Sequence, residues 1–278
     1  MKIAVLGSTG MLGSMVAGYL GKNFEVVTPE FDAMAPDNGR LKTIIQDCQW
    51  VINAIGAIPQ RCKDTPRFVA LNANFPARLA LAAENTGNKV IQIATDCIYD
   101  GKRGDYTEVD AASPTNHRGK PDIYADSKLQ GEIISDNMFH LRCSIVGPET
   151  HGESLLGWFL NQPRGATIEG FINHKWNGIT TLHFAKICEG IITYDLPLPP
   201  FQHVIPADSV SKYDLLQLFA RNFGRDDITI DRKMATRSVY RTLATTDSIL
   251  NSKLWALAGY PWPPTIPQMI EELREYVK

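Results

Sequence analysis

A glycine-rich turn directly after an apolar run most constrains how this chain can fold. The apolar residues 3–6 are followed by Gly7-Ser8-Thr9-Gly10-Met11-Leu12 and then Gly13, and an apolar segment continues to residue 20. Glycines at this spacing allow a sharp turn, bring backbone N–H groups close to a pyrophosphate, and let the following helix pack against its strand. The helix N-terminus would face the phosphates with the positive end of its dipole. The turn therefore predicts a dinucleotide-binding site.

Short β-branched runs alternate with helical segments through the first half of the chain. Strands are predicted at residues 3–6, 24–27, 50–55, 90–94 and 139–146, and helices at residues 41–48, 75–85 and 124–136. This alternation is typical of a parallel sheet with helices on both faces. We therefore expect an α/β fold with a doubly wound, mostly parallel Rossmann sheet.

The alternation becomes irregular after Gly147-Pro148, and prolines cluster in residues 196–200. We therefore expect residues 1–150 to form the dinucleotide-binding Rossmann domain, joined by part of residues 176–195. Residues 151–278 are expected to form mainly a smaller C-terminal α/β lobe that binds the substrate. In open α/β sheets the ligand lies in the crevice at the carboxyl ends of the strands.

The segment Tyr124-Ala125-Asp126-Ser127-Lys128 carries the predicted catalytic chemistry. A tyrosine and a lysine four residues apart lie on one face of a helix, where the ammonium would lower the pKa of the phenol. Lys128 could also hydrogen-bond a cofactor ribose. Thr95 follows the predicted strand 90–94, so its hydroxyl could hold the substrate oxygen that Tyr124 protonates. The alternative is an ordinary surface tyrosine and lysine, because Tyr-x-x-x-Lys is frequent by chance.

The glycine turn, Thr95 at a strand end, and the pair Tyr124 and Lys128, in this order, resemble the extended short-chain dehydrogenase/reductases. The resemblance covers nearly the whole chain. It implies that Thr95, Tyr124 and Lys128 are the catalytic triad for hydride transfer. It also implies that Tyr124 and Lys128 contact the nicotinamide cofactor.

The identity of the cofactor is weakly encoded. NAD-binding folds usually place an acid at the end of the second strand, where this chain has Thr28. The resemblance implies that Asp32 and Ala33 contact adenine and that Ala54 and Gly56 line the ribose. We expect NADP(H) or NAD(H), with NADP(H) slightly favoured.

Within that superfamily the chain is most similar to the dTDP-4-dehydrorhamnose reductase group. Residues 94–101 resemble its Ser-Thr-Asp-x-[Val/Ile]-[Phe/Tyr]-x-Gly, and residues 177–180 resemble Phe-Gly-x-Pro-Thr with Ile179 in place of the proline. Residues 237–245 keep the arginine, leucine and threonine of Arg-Pro-x-Asn-Ser-x-Leu-x-Thr but depart from it elsewhere. This likeness implies NAD(P)H-dependent reduction of the keto group of a nucleotide-linked 4-keto-6-deoxy sugar, in deoxysugar biosynthesis.

Two other functions stay open. Thr95-x-Cys97 is similar to the pattern of GDP-L-fucose synthases, in which a cysteine and a later histidine epimerise the sugar; His151 would be that histidine. The chain would then be an epimerase or epimerase-reductase, although a small buried cysteine and a solvent-exposed histidine explain both residues too. The second alternative is a non-catalytic NADP-binding regulatory subunit, which retention of the triad disfavours.

Two further residues are candidate substrate contacts. Trp176 could stack on a nucleobase or sugar face, although a tryptophan at such a position is more often part of the core. Arg237, with Arg241 nearby, could hold a diphosphate through its guanidinium. The alternative for each arginine is an exposed position without a ligand.

The charge and the cysteines limit the remaining function classes. The 30 acidic and 28 basic residues give a net charge of −2, which does not suggest nucleic-acid or membrane binding. The five dispersed cysteines, without a C-x-x-C pair, fit a reducing cytoplasm better than a disulfide framework or a metal site. We therefore expect a cytoplasmic protein without a metal, with a homodimer as the candidate assembly.

Overall fold

A six-stranded parallel sheet organises the computed structural model, which describes residues 1–115, 120–149 and 152–278. Its strands are β1 (Lys2–Leu6), β2 (Glu25–Val27), β3 (Trp50–Asn53), β4 (Lys89–Ala94), β5 (Met138–Arg142) and β10 (Phe201–His203). They lie in the order β10-β5-β4-β3-β1-β2, and every neighbouring pair is parallel. The predicted α/β class with a mostly parallel sheet is confirmed.

Helices cover both faces of this sheet. In the described part of the chain they are α1 (Met11–Leu20), α2 (Asn38–Ile45), α3 (Thr65–Val69), α4 (Phe75–Thr86), α5 (Ile123–Gln130), α6 (Leu155–Leu160), α7 (Thr181–Thr193), α8 (Lys212–Phe223), α9 (Ser248–Leu257) and α10 (Ile266–Tyr276). Within that part of the chain, no helix has both the length and the apolar character that crossing a bilayer requires.

Strand β1 shows how the two faces are built, because successive side chains of a strand point to opposite sides. Ile3 and Val5 join a core cluster with residues of α1 and α7, whereas Ala4 and Leu6 join a second cluster with residues of α2 and α4. All four side chains are buried. A continuous apolar run is therefore what this central strand requires.

Smaller pairings build the C-terminal part of the chain. Its strands are β6 (Ile145–Val146), β7 (Thr167–Phe171), β8 (His174–Trp176), β9 (Ile179–Thr180), β11 (Val210–Ser211), β12 (Thr229–Lys233) and β13 (Val239–Tyr240). They pair as β6-β9, β7-β12 and β11-β8-β13. From the same region, α7 packs on α1 and β10 extends the central sheet. The division near residue 150 stays a prediction.

Two predicted elements end earlier than the sequence pattern suggested. The helix predicted over residues 124–136 ends at Gln130, because Gly131 packs against the π-helical turn Ala70–Asn74. A Cβ at Gly131 would lie 1.8 Å from the carbonyl oxygen of Asn72. The strand predicted over residues 139–146 divides into β5, in the central sheet, and β6, which pairs with β9. The chain thus leaves the central sheet just after Arg142.

Candidate active site

The glycine turn between β1 and α1 forms the first part of the site. Gly7 has a φ of 81°, and a Cβ at Gly13 would lie 2.1 Å from the Gly7 carbonyl oxygen, so both positions require glycine. Gly10 caps α1 without a side-chain hydrogen bond, and the first turn of α1 contains no acidic residue. The N–H groups and dipole of this turn are therefore suited to an anion.

An open cavity of about 330 Å³ lies against this turn. It is lined by Thr9, Gly10, Met11, Ser14, Arg61, Pro148 and Glu149. The guanidinium of Arg61 forms ion pairs with Glu149 and Glu153 at this cavity. The turn, the uncapped helix end and the cavity together fit the diphosphate of a dinucleotide.

The loop after β2 carries the predicted adenine contacts. Asp32 is exposed, and its carboxylate accepts a hydrogen bond from the Met34 N–H at 2.9 Å, whereas Ala33 is buried. Arg40, on α2, donates to the carbonyl oxygen of Glu30 in the same loop at 3.2 Å. The sequence interpretation did not single out Arg40, because ten residues separate it from its partner. An exposed cation near the predicted adenine site can interact with a phosphate on the adenosine ribose.

The segment after β3 meets the predicted catalytic lysine. The Ala54 N–H donates to the Leu6 carbonyl oxygen at 3.0 Å, which fixes this segment beside the glycine turn. A Cβ at Gly56 would lie 3.9 Å from Lys128 Nζ and 3.2 Å from Asn72 Oδ1. The predicted ribose segment and Lys128 are therefore neighbours.

The side chains of Thr95 and Tyr124 meet at the carboxyl end of β4. The Thr95 hydroxyl lies beside the Tyr124 phenol and lowers its pKa, and the Thr95 oxygen accepts the Cys97 N–H at 3.1 Å. Asp122 caps α5 by accepting the Tyr124 N–H at 3.0 Å, which holds Tyr124 in the first turn. Thr95 is only 7% exposed. The two hydroxyls can thus share one substrate oxygen.

The pKa of Tyr124 differs from the sequence-based expectation. Burial raises it, and the neighbouring Thr95 hydroxyl opposes that rise without cancelling it. Lys128 donates instead to the Ile93 carbonyl oxygen at 3.1 Å, and burial lowers the pKa of its ammonium to about 8. Tyr124 is therefore protonated at neutral pH, which is the state that a proton donor requires.

Asn72 supports this arrangement from the π-helical turn. Its amide donates to the Ser127 hydroxyl at 3.0 Å and to the Ala57 carbonyl at 3.1 Å, and its oxygen accepts the Ala57 N–H at 2.8 Å. It thereby joins α5 to the segment after β3. Asn72 was missed in the sequence, where nothing distinguishes it from other helical asparagines.

Cys97 lies beside the triad, whereas His151 is outside the described residues. Burial raises the pKa of the Cys97 thiol to about 12, and the neighbouring Asp96 carboxyl adds to that rise. The same burial raises the pKa of Asp96, while Arg241 and Lys212 oppose the rise. Cys97 is therefore a protonated thiol at neutral pH.

The remaining predicted contacts lie in the C-terminal part. Trp176 is 4% exposed, and its indole N–H donates to the Ser144 hydroxyl at 2.8 Å. Arg237 is half-buried, and its carbonyl oxygen accepts a hydrogen bond from His174 at 3.1 Å. The guanidinium of Arg241 donates to the Tyr99 carbonyl oxygen at 2.8 Å and so holds the loop after Cys97. Substrate contact by Trp176 and Arg237 stays a prediction.

Comparison with known proteins identifies similar sequences. The family model described as RmlD substrate binding domain matches residues 1–162 of the 278. The methionine adenosyltransferase 2 subunit beta of Danio rerio is 29% identical over 142 residues, which are 47% of this chain and 42% of that protein. The dTDP-4-dehydrorhamnose reductase of Sinorhizobium fredii is 28% identical over 156 residues, 52% of this chain and 51% of that protein. The chain spans about half the length of the curated relatives it matches.

Solved structures share the fold over nearly the whole chain. A dTDP-4-dehydrorhamnose reductase from Clostridium acetobutylicum has a TM-score of 0.80 at 20% identity, covering 100% of this chain and 99% of that one. The enzyme of the same name from Bacillus anthracis, in complex with NADP, has a TM-score of 0.81 at 17% identity, covering 99% of both chains. UDP-glucuronic acid 4-epimerase from Bacillus cereus, with UDP-glucuronic acid and NAD, has a TM-score of 0.74 at 17% identity, covering 100% and 99%.

Proposed function

The chain belongs to the RmlD substrate binding domain family, and on that basis we propose that it reduces the keto group of a nucleotide-linked 4-keto-6-deoxy sugar. The reductant is NADPH or NADH. The observation that carries the proposal is the placement of Thr95 beside the Tyr124 phenol at the carboxyl end of β4, with Lys128 on the same helix as Tyr124. The dTDP-4-dehydrorhamnose reductases among its relatives support the substrate class.

The cofactor would be held along the carboxyl edge of the sheet. The first turn of α1 would bind the diphosphate, Asp32 and Ala33 would contact the adenosine, and Lys128 would donate to a ribose hydroxyl near Gly56. When bound, the nicotinamide supplies a hydride to the carbonyl carbon. The Bacillus anthracis structure with NADP supports a nicotinamide cofactor for this fold.

Thr95 and Tyr124 would act on the substrate oxygen. The Thr95 hydroxyl orients the carbonyl oxygen, and Tyr124 donates its proton to that oxygen as the carbonyl carbon gains a hydride. The product is an alcohol, and the Tyr124 phenolate then recovers a proton from solvent. Lys128, one turn further along the same helix, would stabilise the phenolate while it exists. General acid catalysis of this kind contributes about 10²- to 10⁴-fold.

Reduction is favoured over epimerisation by the state of Cys97. A thiol with a pKa of about 12 gives up its proton with difficulty, so it is a poor base for a carbon-bound proton at neutral pH. The Cys97 thiol could still donate its proton, but epimerisation also needs a base that removes a proton from carbon. Epimerisation with His151 therefore remains the less favoured alternative.

A second candidate is a cofactor-binding subunit without turnover. The 29% identity to a methionine adenosyltransferase 2 subunit beta favours it. The placement of Thr95 beside the Tyr124 phenol argues against it, because a protein that only binds the cofactor has no need for a proton donor there. Both candidate functions predict cofactor binding, but only the reductase predicts turnover of a nucleotide sugar.

A substrate panel tests the proposal. Purified protein is incubated with dTDP-, GDP- and UDP-linked 4-keto-6-deoxy sugars and either NADPH or NADH, and the products are analysed by mass and stereochemistry. We expect one sugar to be reduced to a single alcohol, with one cofactor oxidised per product. Tight cofactor binding without turnover on any sugar would favour the second candidate.

A cytoplasmic location and a homodimer remain predictions, and mass photometry tests the latter.

A further inference from the structure

Lys212 is the first residue of α8, and its ammonium lies in the C-terminal part of the site. The preceding Ser211 forms a capping box with Asp214, so this turn is well defined. Strand β11 pairs with β8, with Val210 opposite Trp176, and Lys212 Nζ lies 5.5 Å from the centre of the Trp176 ring. The face of an aromatic ring attracts a cation at that distance through a cation–π interaction.

The same ammonium lies near the segment that follows the catalytic threonine. Its charge interacts with Asp96 and Cys97, which directly follow Thr95. Lys128, by contrast, lies beside Gly56 in the predicted ribose segment. The site thus has one lysine on the cofactor side and a second, Lys212, at the residues next to Thr95.

Among the residues that the structure describes, Lys212 has hydrogen-bonding capacity that no neighbour uses. Within residues 1–115, 120–149 and 152–278, its ammonium forms neither a hydrogen bond nor an ion pair. The Asp96 carboxylate already accepts a hydrogen bond from the Thr95 hydroxyl at 3.3 Å. Burial lowers the pKa of Lys212 to about 8, so it is mainly charged at neutral pH. Lys212 is half-buried and solvent reaches its Nζ, so an oxygen of a bound molecule can replace water as the acceptor of its hydrogen bonds.

We propose that Lys212 is a substrate-binding residue that donates a hydrogen bond to the 3-hydroxyl oxygen of the sugar. The inference rests on the proposed function. In a 4-keto-6-deoxy sugar the keto carbon C4 has two ring neighbours, and C3 is the one that carries a hydroxyl. When Thr95 holds the keto oxygen, a hydroxyl on the adjacent carbon can extend toward Asp96, Cys97 and Lys212. Lys212 therefore selects sugars that keep this hydroxyl.

The test pairs a substitution in the protein with a deletion in the substrate. The probes are dTDP-4-dehydrorhamnose and its 3-deoxy analogue, or the GDP- or UDP-linked pair if the panel selects that nucleotide. Wild type, Lys212→Met and Lys212→Arg are compared by kcat/KM, KM and thermal stability. Lys175→Met is the matched control, because Lys175 is exposed and pairs with Ser211 in the same small sheet.

We expect wild type and Lys175→Met to prefer the 3-hydroxy sugar by about 10- to 100-fold in kcat/KM, the size expected for a hydrogen bond to a charged group. Lys212→Met should lose that preference, mainly through a higher KM for the 3-hydroxy sugar, while the 3-deoxy sugar is reduced as by wild type. Lys212→Arg keeps the charge and should recover part of the preference. If Lys212→Met does not fold, the preference measured with Lys212→Arg still tests the proposal.

Each other outcome has a definite meaning. If wild type reduces the sugar and Lys212→Met keeps the full preference, Lys212 does not bind the 3-hydroxyl and the proposed function stands. If Lys212→Met and Lys212→Arg lower kcat equally for both sugars, Lys212 acts on the reacting oxygen instead and the proposal is wrong. If wild type neither reduces nor binds any nucleotide sugar, the proposed function fails, and Lys212 fails with it.

Discussion

The ammonium of Lys128 donates a hydrogen bond of 3.1 Å to the carbonyl oxygen of Ile93, two residues before Thr95. This bond ties the helix that carries Tyr124 to the strand that leads to Thr95. The same ammonium lies beside Gly56. Lys128 is therefore placed to fix the triad and to contact a ribose at once.

Cofactor affinity should depend on pH through Lys128. Its pKa is about 8, lowered by burial, so the ammonium is present below pH 8 and is lost as the pH rises above that value. A charged ammonium is the better donor to a ribose hydroxyl and the better partner for an anionic cofactor. We expect the Kd of NADPH, measured by calorimetry, to be constant below about pH 7 and to rise above pH 8.

Lys128→Met is the control for this prediction. It should bind NADPH more weakly at pH 7, reduce substrate more slowly, and show no further rise of Kd above pH 8. An identical pH dependence in Lys128→Met would assign the titration to another group.

Tyr124→Phe should lower kcat by about 10²- to 10⁴-fold, because the phenol proton is removed while the ring is kept. The Kd of NADPH should stay within about threefold of the wild-type value, since the phenol acts mainly on the substrate. Stopped-flow measurement of cofactor oxidation separates the two effects. Near-normal turnover would show that another group protonates the product.

Arg40 should favour NADPH over NADH. Its guanidinium is anchored to the loop of Asp32, and an exposed charge pair with the 2′-phosphate is worth about fivefold in affinity. Arg40→Ala should lose that factor for NADPH and leave the Kd of NADH unchanged. Lys42→Ala, on the same helix, is the matched control. An equal loss for both cofactors would place Arg40 away from the 2′-phosphate.

Cys97→Ser should retain reductase activity within roughly tenfold, because one small side chain replaces another. When the reaction runs in D₂O, we expect no carbon-bound deuterium at C3 or C5 of the product. Nuclear magnetic resonance of the isolated sugar detects it. Deuterium at either carbon, lost in Cys97→Ser, would establish the epimerase-reductase alternative.

The sequence predicted what depends on local pattern. The central sheet follows from alternating apolar runs, and the triad residues follow from a strand end and a four-residue spacing. It missed Asn72, Arg40 and Lys212, because each reaches its neighbours only when distant segments fold together. Strand β10 was missed for the same reason, since its three residues gain their place in the sheet from pairing with β5.

The sequence pattern predicted the wrong direction for the pKa of Tyr124. The spacing to Lys128 suggested a lowered pKa, but burial dominates and the lysine donates to Ile93. Burial depends on how segments distant in the sequence pack around the phenol, as Phe68 does against the Tyr124 ring. No spacing rule contains that information.

The transfer of deuterium from labelled NADPH to the sugar tests the proposed reduction itself. Wild-type protein is mixed with NADPH carrying deuterium at one face of the nicotinamide C4 and with the sugar that the panel identifies, and the product is analysed by mass spectrometry and nuclear magnetic resonance. The proposed function predicts one deuterium on the former keto carbon from only one of the two labelled cofactors, and near-total loss of this product in Tyr124→Phe. A sugar recovered without deuterium while the labelled NADPH stays reduced would contradict it.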